Sequence, residues 1–273
     1  MSKDFREIYF DKQLKLEGYY FEGVSQSFPN HFHDYYVIGF VEKGKRNLTC
    51  NTLEYEVNPG DFLLFNPFDS HGCTQVEALD LTYRAINVSI ERMREIITTI
   101  TGKEELVKFT KPILKLPKID ELFLLLHQLI LENKDDLNRE ELLYFFIDAL
   151  IAHAADIKIE EIAFSEASKE NLLLAKSYLE KNFASTVSLE ELSRRCHLNK
   201  YTLIRYFTKY FGVTPYQYLQ TIRIKEAKEL LSNGKELLSI SLKVGFSDQS
   251  HFTRVFKSLI GITPKQYQGI FKQ

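Results

Sequence analysis

Three histidines are the first residues in this 273-residue chain whose spacing suggests chemistry. His31-Phe32-His33 sets two imidazoles at i and i+2, which share one face of an extended strand. His71 closes the segment PGDFLLFNPFDSH. Imidazoles placed this way can converge inside a small barrel. Three uses then compete: ligation of a metal, hydrogen bonding to an organic effector, or a satisfied polar rim at a barrel mouth. Zinc accepts three protein ligands plus water, so His31, His33 and His71 would suffice for it. Arg46 and Arg84 are candidate partners for an effector carboxylate, because a guanidinium meets a carboxylate through two parallel hydrogen bonds. Tyr35 and Tyr36 are candidates to shape the pocket, and strand alternation turns only one of them inward.

A second set of residues lies near the C-terminus, inside a repeat. At an offset of 49 residues, Phe207, Gly212, Thr214, Pro215, Gln217 and Tyr218 recur as Phe256, Gly261, Thr263, Pro264, Gln266 and Tyr267, and Arg205 recurs as Arg254. Each copy reads as two short helices joined by a tight turn, the pattern of a helix-turn-helix. Ser188 is placed to cap the first helix of copy one, with Glu191 completing a capping box, and Asn199 begins its second helix. In copy two Ser239 is the expected cap and Gly245 makes the turn, where His197 stands in copy one. A left-handed residue is expected at that turn. Ser193 and Ser241 are small where the paired helices approach. Along each second helix an apolar stripe (Leu203 and Phe207; Phe252 and Phe256) is expected to face inward. Tyr201, Thr202 and Arg205 in copy one, and Gln249, Ser250, His251 and Arg254 in copy two, are expected to face out. Two copies are too few for a solenoid, which needs about three or more, so DNA binding is the favoured reading.

These residues need elements to position them. Residues 1–90 read as β: YYVIGFV at Tyr35–Val41, FLLF at Phe62–Phe65 after the turn Asn58-Pro59-Gly60-Asp61, and LTYRAINV at Leu81–Val88. Short strands between Gly, Pro and Asn turns indicate a sandwich or small barrel. Helical spacing follows at Ile119–Leu131 and Arg139–Ala155, with Asp120 and Asn138 as expected N-caps and a short polar connection making a helical hairpin. Asp156–Lys169 reads as a linker. Helices then dominate to the end. The fold class is therefore α+β multidomain: residues 1–160 form an effector-binding and dimerisation domain, and residues 169–273 an all-α DNA-binding domain.

Charge follows the same division. From Lys169 onward there are 17 basic and 8 acidic residues, whereas the preceding part is acidic, although the whole chain is only −2. A basic segment on an acidic body points to a polyanion for one domain. Cys50, Cys73 and Cys196 have neither metal-type nor disulfide-framework spacing, so we expect buried thiols in a reducing cytoplasm. No apolar run is long enough for a membrane span, and MSKDFREIYF lacks the apolar core of a signal peptide.

Residues 170–273 resemble the DNA-binding domain of the AraC/XylS family. The resemblance is carried by Ile240–Tyr267, ISLKVGFSDQSHFTRVFKSLIGITPKQY. It implies a long helix near Thr214–Leu231 joining the two units, with each second helix entering a major groove. It assigns base reading to Tyr201, Ile204 and Arg205 in copy one and to Gln249, Ser250, His251 and Arg254 in copy two. Arg205 and Arg254 are the strongest, through guanine O6 and N7. Lys200, Lys209 and Lys257 are candidate phosphate contacts, and Thr202 joins the interface. Residues 15–90 are similar to the cupin barrel that precedes this domain in AraC-type regulators, matched by HFHDYY, the turn Asn58–Asp61 and Asn66-Pro67-Phe68-Asp69-Ser70-His71. Enzymatic cupins carry a Glu three to five residues after the second His. Tyr36, Val37 and Ile38 stand there, so one metal ligand is missing.

The resemblance implies a regulator, not an enzyme. It would be an activator controlled by a small effector, a homodimer, and a partner of double-stranded DNA and RNA polymerase, with no membrane partner. No cofactor follows from it directly, although zinc or another divalent metal remains open at the histidines. A metal-dependent cupin enzyme fused to a DNA-binding module and a ligand-independent regulator are the alternatives.

Overall fold

The computed structural model describes residues 4–77, 79–132, 136–155, 166–260 and 262–271. They fall into two compact units, Met1–Glu161 and Ile162–Gln273. Most of the expected linker lies outside the described residues, and its last part is already helical.

The first unit opens with nine strands: β1 (Phe5–Asp11), β2 (Leu16–Val24), β3 (Phe28–His31), β4 (Tyr35–Lys43), β5 (Arg46–Cys50), β6 (Leu53–Val57), β7 (Asp61–Phe65), β8 (His71–Gln75) and β9 (Leu81–Ser89). Helix α1 (Ile90–Thr101), strand β10 (Ile113–Lys115) and helices α2 (Ile119–Glu132) and α3 (Asp136–Ala154) follow. One sheet runs β1-β2-β9-β4-β7-β10 and the other β3-β8-β5-β6, with antiparallel pairing throughout. The turn before β7 forms as expected: Gly60 takes φ +86°, and the Asn58 amide donates to Asp61 Oδ2 at 2.7 Å.

β4 shows why the run YYVIGFV has no polar alternation. It lies in the middle of the larger sheet and is buried on both faces, as central strands covered on two sides are. Tyr35, Val37 and Val41 face the interior of the barrel. Phe40 packs on Phe62, and Phe62 on Phe123 of α2, with ring centroids 5.1 and 5.5 Å apart. Phe146 of α3 completes the cluster, 5.2 Å from Phe123. The helical pair is thus a cover for the sheet. Its expected caps are corrected: Asp120 is the second residue of α2 and Asn138 the third of α3. Both lie inside their helices: α2 starts at Ile119, with the apolar pattern itself, and α3 starts at Asp136, before its pattern does.

Gly39 in β4 is required by a close approach. A Cβ there would stand 2.2 Å from the Tyr83 hydroxyl on β9. The missing side chain lets the Tyr83 ring lie flat across the neighbouring strand.

The second unit is all α: α4 (Glu166–Lys181), α5 (Leu189–Arg195), α6 (Lys200–Phe211), α7 (Pro215–Ser232), α8 (Leu237–Lys243), α9 (Gln249–Ile260) and α10 (Pro264–Gly269). The repeated Thr-Pro-x-Gln is a helix start. Thr214 and Thr263 each accept from the backbone of Gln217 and Gln266, and the glutamine side chains return the bond to the threonine amides, with Pro at the first helical position. Arg223 ties α7 to the chain before α5, donating to the carbonyls of Phe183 and Ser185. Phe246, Phe252 and Phe256 pack with Ile224, Ala227 and Ile240 in one core cluster.

Candidate functional site

The barrel holds an open-mouthed cavity of about 270 Å³. Its wall is mostly apolar and aromatic, including Phe21, Tyr35, Val37, Leu48, Phe65 and Tyr83. His31, His33 and His71 are brought together on that wall. One ring nitrogen from each lies within 4.8 Å of the others. β3 and β8 are paired with His31 opposite His71, and His33 follows on the loop before β4. His31 Nδ1 donates to the Pro29 carbonyl at 2.7 Å, and His71 Nδ1 to the Asp69 carbonyl at 2.9 Å. A carbonyl can only accept, so each ring carries a proton on Nδ1, and in the neutral tautomer this leaves the lone pair on Nε2. His71 stacks on Phe65, with centroids 3.9 Å apart, and His33 stacks on Tyr35 at 4.6 Å. Burial pulls His71 down to about 4 and lowers His33 as well, so these two rings are neutral near pH 7.

The arginines part company. Arg46 is 1% exposed and lines the cavity. Its Nη1 donates to the carbonyls of Lys45 and Leu79, and its Nη2 to that of Val24, at 2.6–2.8 Å. Its Nε is buried without a partner. Arg84, expected in the pocket, lies outside it. β9 pairs with β4 so that Tyr83, Ala85 and Asn87 stand opposite Val41, Gly39 and Val37 on the cavity face. Arg84 is opposite Phe40 on the other face. There it pairs with Glu42, covers the Tyr20 ring and reaches His127 of α2.

Tyr35 is the inward tyrosine. Tyr36 turns away and donates to the Val107 carbonyl at 2.7 Å. Sequence reasoning missed Tyr19, Tyr83 and Asn87, which supply polar groups to the wall. The alternation of LTYRAINV separates Arg84 from Tyr83 and Asn87 but does not say which set faces in. Cys73 also lines the cavity, while Cys50 and Cys196 are buried, and all three thiols are free.

In the second unit the two helix-turn-helix copies close alike. Leu198 donates to the Ser193 carbonyl and Phe246 to that of Ser241. The residues between are left-handed, His197 at φ +52° and Gly245 at φ +92°. Ser193 and Ser241 are buried, and each hydroxyl donates to the carbonyl three residues back. Asn199 caps α6 through the Thr202 amide, and Asp248 accepts from the His251 amide at the start of α9. Two expectations at the first helices are corrected. Ser188 caps α5, but Glu191 gives its carboxylate to Arg195 instead of closing a capping box. Ser239 lies inside α8, which starts at Leu237 with Glu236 as an N-cap that makes no side-chain bond.

The candidate readers are not equally exposed. Gln249, Ser250 and Arg254 are exposed along α9. His251, expected outward, is 5% exposed, its ring against Phe246 at 5.2 Å. In α6, Tyr201, Thr202 and Ile204 are 4%, 8% and 0% exposed, contrary to the outward placing of the first two and the reading role of the third. Arg205 is half-buried. Lys209 and Lys257 are exposed, and Lys200 pairs with Glu190 at 2.8 Å.

Comparison with known proteins bears on both units. Residues 13–147 match a family model described as an AraC-like ligand binding domain, and residues 192–269 match one described as a helix-turn-helix domain. The chain is 43% identical to the uncharacterized HTH-type transcriptional regulator YbfI of Bacillus subtilis (strain 168), over 92% of this chain and 90% of that one. It is 27% identical to the HTH-type transcriptional activator RhaS of Escherichia fergusonii, over 88% and 87%. Among solved structures, an AraC-type transcriptional regulator from Chromobacterium violaceum covers 40% of this chain and 98% of its own length, at 27% identity and a TM-score of 0.36.

Proposed function

The chain belongs to the AraC family of helix-turn-helix transcriptional regulators, and on that premise we propose that a small molecule held in the barrel cavity governs its binding to DNA. The observation that carries this reading is the aromatic-lined cavity in one unit of a chain whose other unit holds two helix-turn-helix copies. A ligand shifts DNA binding only if its affinity differs between the DNA-competent and other states. The cavity is the place for that difference to arise.

In this reading α6 and α9 are the two reading helices. Arg254 and Arg205 contact bases, Gln249 and Ser250 support the second copy, and Lys209 and Lys257 meet phosphates. The half-buried Arg205 and exposed Arg254 give the two copies different chemistry, so the DNA site is asymmetric. The protein works as an activator and a homodimer that engages RNA polymerase in the cytoplasm, in line with the activator name carried by RhaS. It is a regulator and not an enzyme, as the regulator names of its relatives support. The histidine cluster gives the cavity a polar pole with the donor set of a divalent cation such as zinc.

Selection of bound DNA from a random pool, repeated with candidate metabolites, tests the reading. Enrichment of one asymmetric motif, strengthened or lost with one metabolite, is expected. A motif indifferent to every metabolite, with no thermal shift, would favour a ligand-independent regulator.

A further inference from the structure

The three histidines differ from an ordinary polar rim in how they are held. Two of them spend their Nδ1 protons on backbone carbonyls and keep Nε2 as an acceptor. That arrangement orients metal-ligating histidines and fixes their tautomer. Stacking on Phe65 and Tyr35 fixes two of the ring planes.

Among the described residues, the wall around them carries no aspartate or glutamate. Its fixed charge is Arg46, buried at the other end of β5. β5 and β8 pair Cys50 with His71 and Arg46 with Gln75. The four residue steps between these pairs put Arg46 roughly 13 Å from the histidine end. A dication on the three imidazoles would add two positive charges to a mostly apolar wall, which Asp34 and Asp69 reach only from outside it, beside His33 and His71. Burying such charge uncompensated is costly.

We propose that His31, His33 and His71 bind a divalent transition metal whose remaining coordination position opens into the cavity, and that the effector is a small carboxylate with an apolar body, which completes the coordination. This inference rests on the reading of the cavity as the effector site. The chain lacks the ligand carboxylate at Tyr36, Val37 and Ile38, and the effector brings it. The aromatic and aliphatic wall takes the body. Arg46, whose Nη atoms are held by the Lys45, Leu79 and Val24 carbonyls, is the cationic residue on that wall, at the far end of the cavity. Zinc–nitrogen bonds of about 2.0–2.1 Å require nitrogen pairs roughly 3.4 Å apart in a tetrahedral site. The present upper spacing is 4.8 Å, so the metal draws the rings together. The half-exposed His31, at the end of β3, is stacked on neither Phe65 nor Tyr35, so the adjustment falls on it.

The test uses untagged full-length protein stripped with a chelator, with Co²⁺ as the probe. Its visible d–d bands report coordination. Expected is one Co²⁺ per chain with the intense bands of four-coordinate cobalt, lost in His33→Ala and in His71→Gln. Benzoate, phenylacetate and hexanoate should then alter those bands and raise the melting temperature more with metal than without, while the corresponding amides should not. Cobalt binding no stronger than in His33→Ala would overturn the metal site. Unaltered bands on adding every carboxylate to cobalt protein would overturn the effector class. Carboxylates or amides that stabilise metal-free protein and His33→Ala as much as loaded wild type would overturn the inference while leaving the cavity-effector reading standing. If wild-type circular dichroism is not preserved in His71→Gln, His31→Gln replaces it as the second variant.

Discussion

Arg84 Nη1 donates to His127 Nδ1 across 3.2 Å, which leaves the imidazole proton on Nε2, given to the Tyr19 carbonyl at 2.9 Å. Tyr19 lines the cavity with its ring and holds α2 with its carbonyl. Burial first, and the Arg84 charge second, bring His127 down to about 4. His71 also falls to about 4, through burial. Both folded values lie below the ordinary 6.5, so the unfolded chain takes up these protons first. Above pH 6.5 neither ring affects stability. Between pH 6.5 and 4 the metal-free protein should lose on the order of 3 kcal/mol for each. Urea unfolding across that range measures the loss. His127→Gln, which supplies a donor for Tyr19 and an acceptor for Arg84 but does not titrate, should reduce the slope by about one proton. An unchanged slope would remove His127 from the account.

Gly39 and Tyr83 make a second prediction. Gly39→Ala puts a methyl group 2.2 Å from the Tyr83 hydroxyl. Overpacking of this kind costs about 1–3 kcal/mol. The displaced ring also reshapes the cavity wall. Thermal unfolding should register the loss, and any effector found by thermal shift should bind more weakly to this variant.

The two helix-turn-helix turns should respond in opposite senses. His197 holds φ +52° with a side chain, so His197→Gly should leave stability unchanged or raise it by up to about 1 kcal/mol. Gly245→Ala meets both a φ of +92° and the Phe183 carbonyl at 2.7 Å from the new Cβ. It should destabilise by more than about 1 kcal/mol. Comparing the two melting temperatures is sufficient.

Along the reading helices, exposure separates two kinds of loss. Arg254→Ala should weaken specific DNA binding by about 1–3 kcal/mol and relax preference at one base pair. Lys257→Ala should weaken all sequences alike and lower the salt dependence by about one counterion. Ile204→Ala removes a fully buried side chain and should cost about 2–5 kcal/mol of folding stability. Binding titrations at several salt concentrations, set beside melting curves, distinguish the three.

Two further variants test the repeated helix starts. Thr214→Ala and Thr263→Ala each remove the half of the capping box that the threonine hydroxyl makes, and leave the bond from the backbone amide to the glutamine. About 1 kcal/mol should be lost at each, and the losses should add, since they cap different helices. A double variant no less stable than either single one would contradict this.

Much of this protein was legible in its residues because the signals are short-range. The left-handed turn at Gly245, its partner at His197 and the cap at Asn199 are closed by bonds spanning three to five residues, and such geometry is written locally. The sequence also placed the three histidines on one cavity and turned only one of Tyr35 and Tyr36 inward, because strand alternation is a strict period of two. What alternation cannot supply is phase and register. Arg84 and Tyr83 are adjacent in the chain, and only the pairing of β9 with β4 decided that Tyr83 faces the cavity and Arg84 faces α2. Burial belongs to the tertiary level in the same way. Tyr201, Thr202, Ile204 and His251 have helical positions that the repeat predicts well. Whether those positions meet water depends on what packs over them, and no periodicity within one helix contains that information.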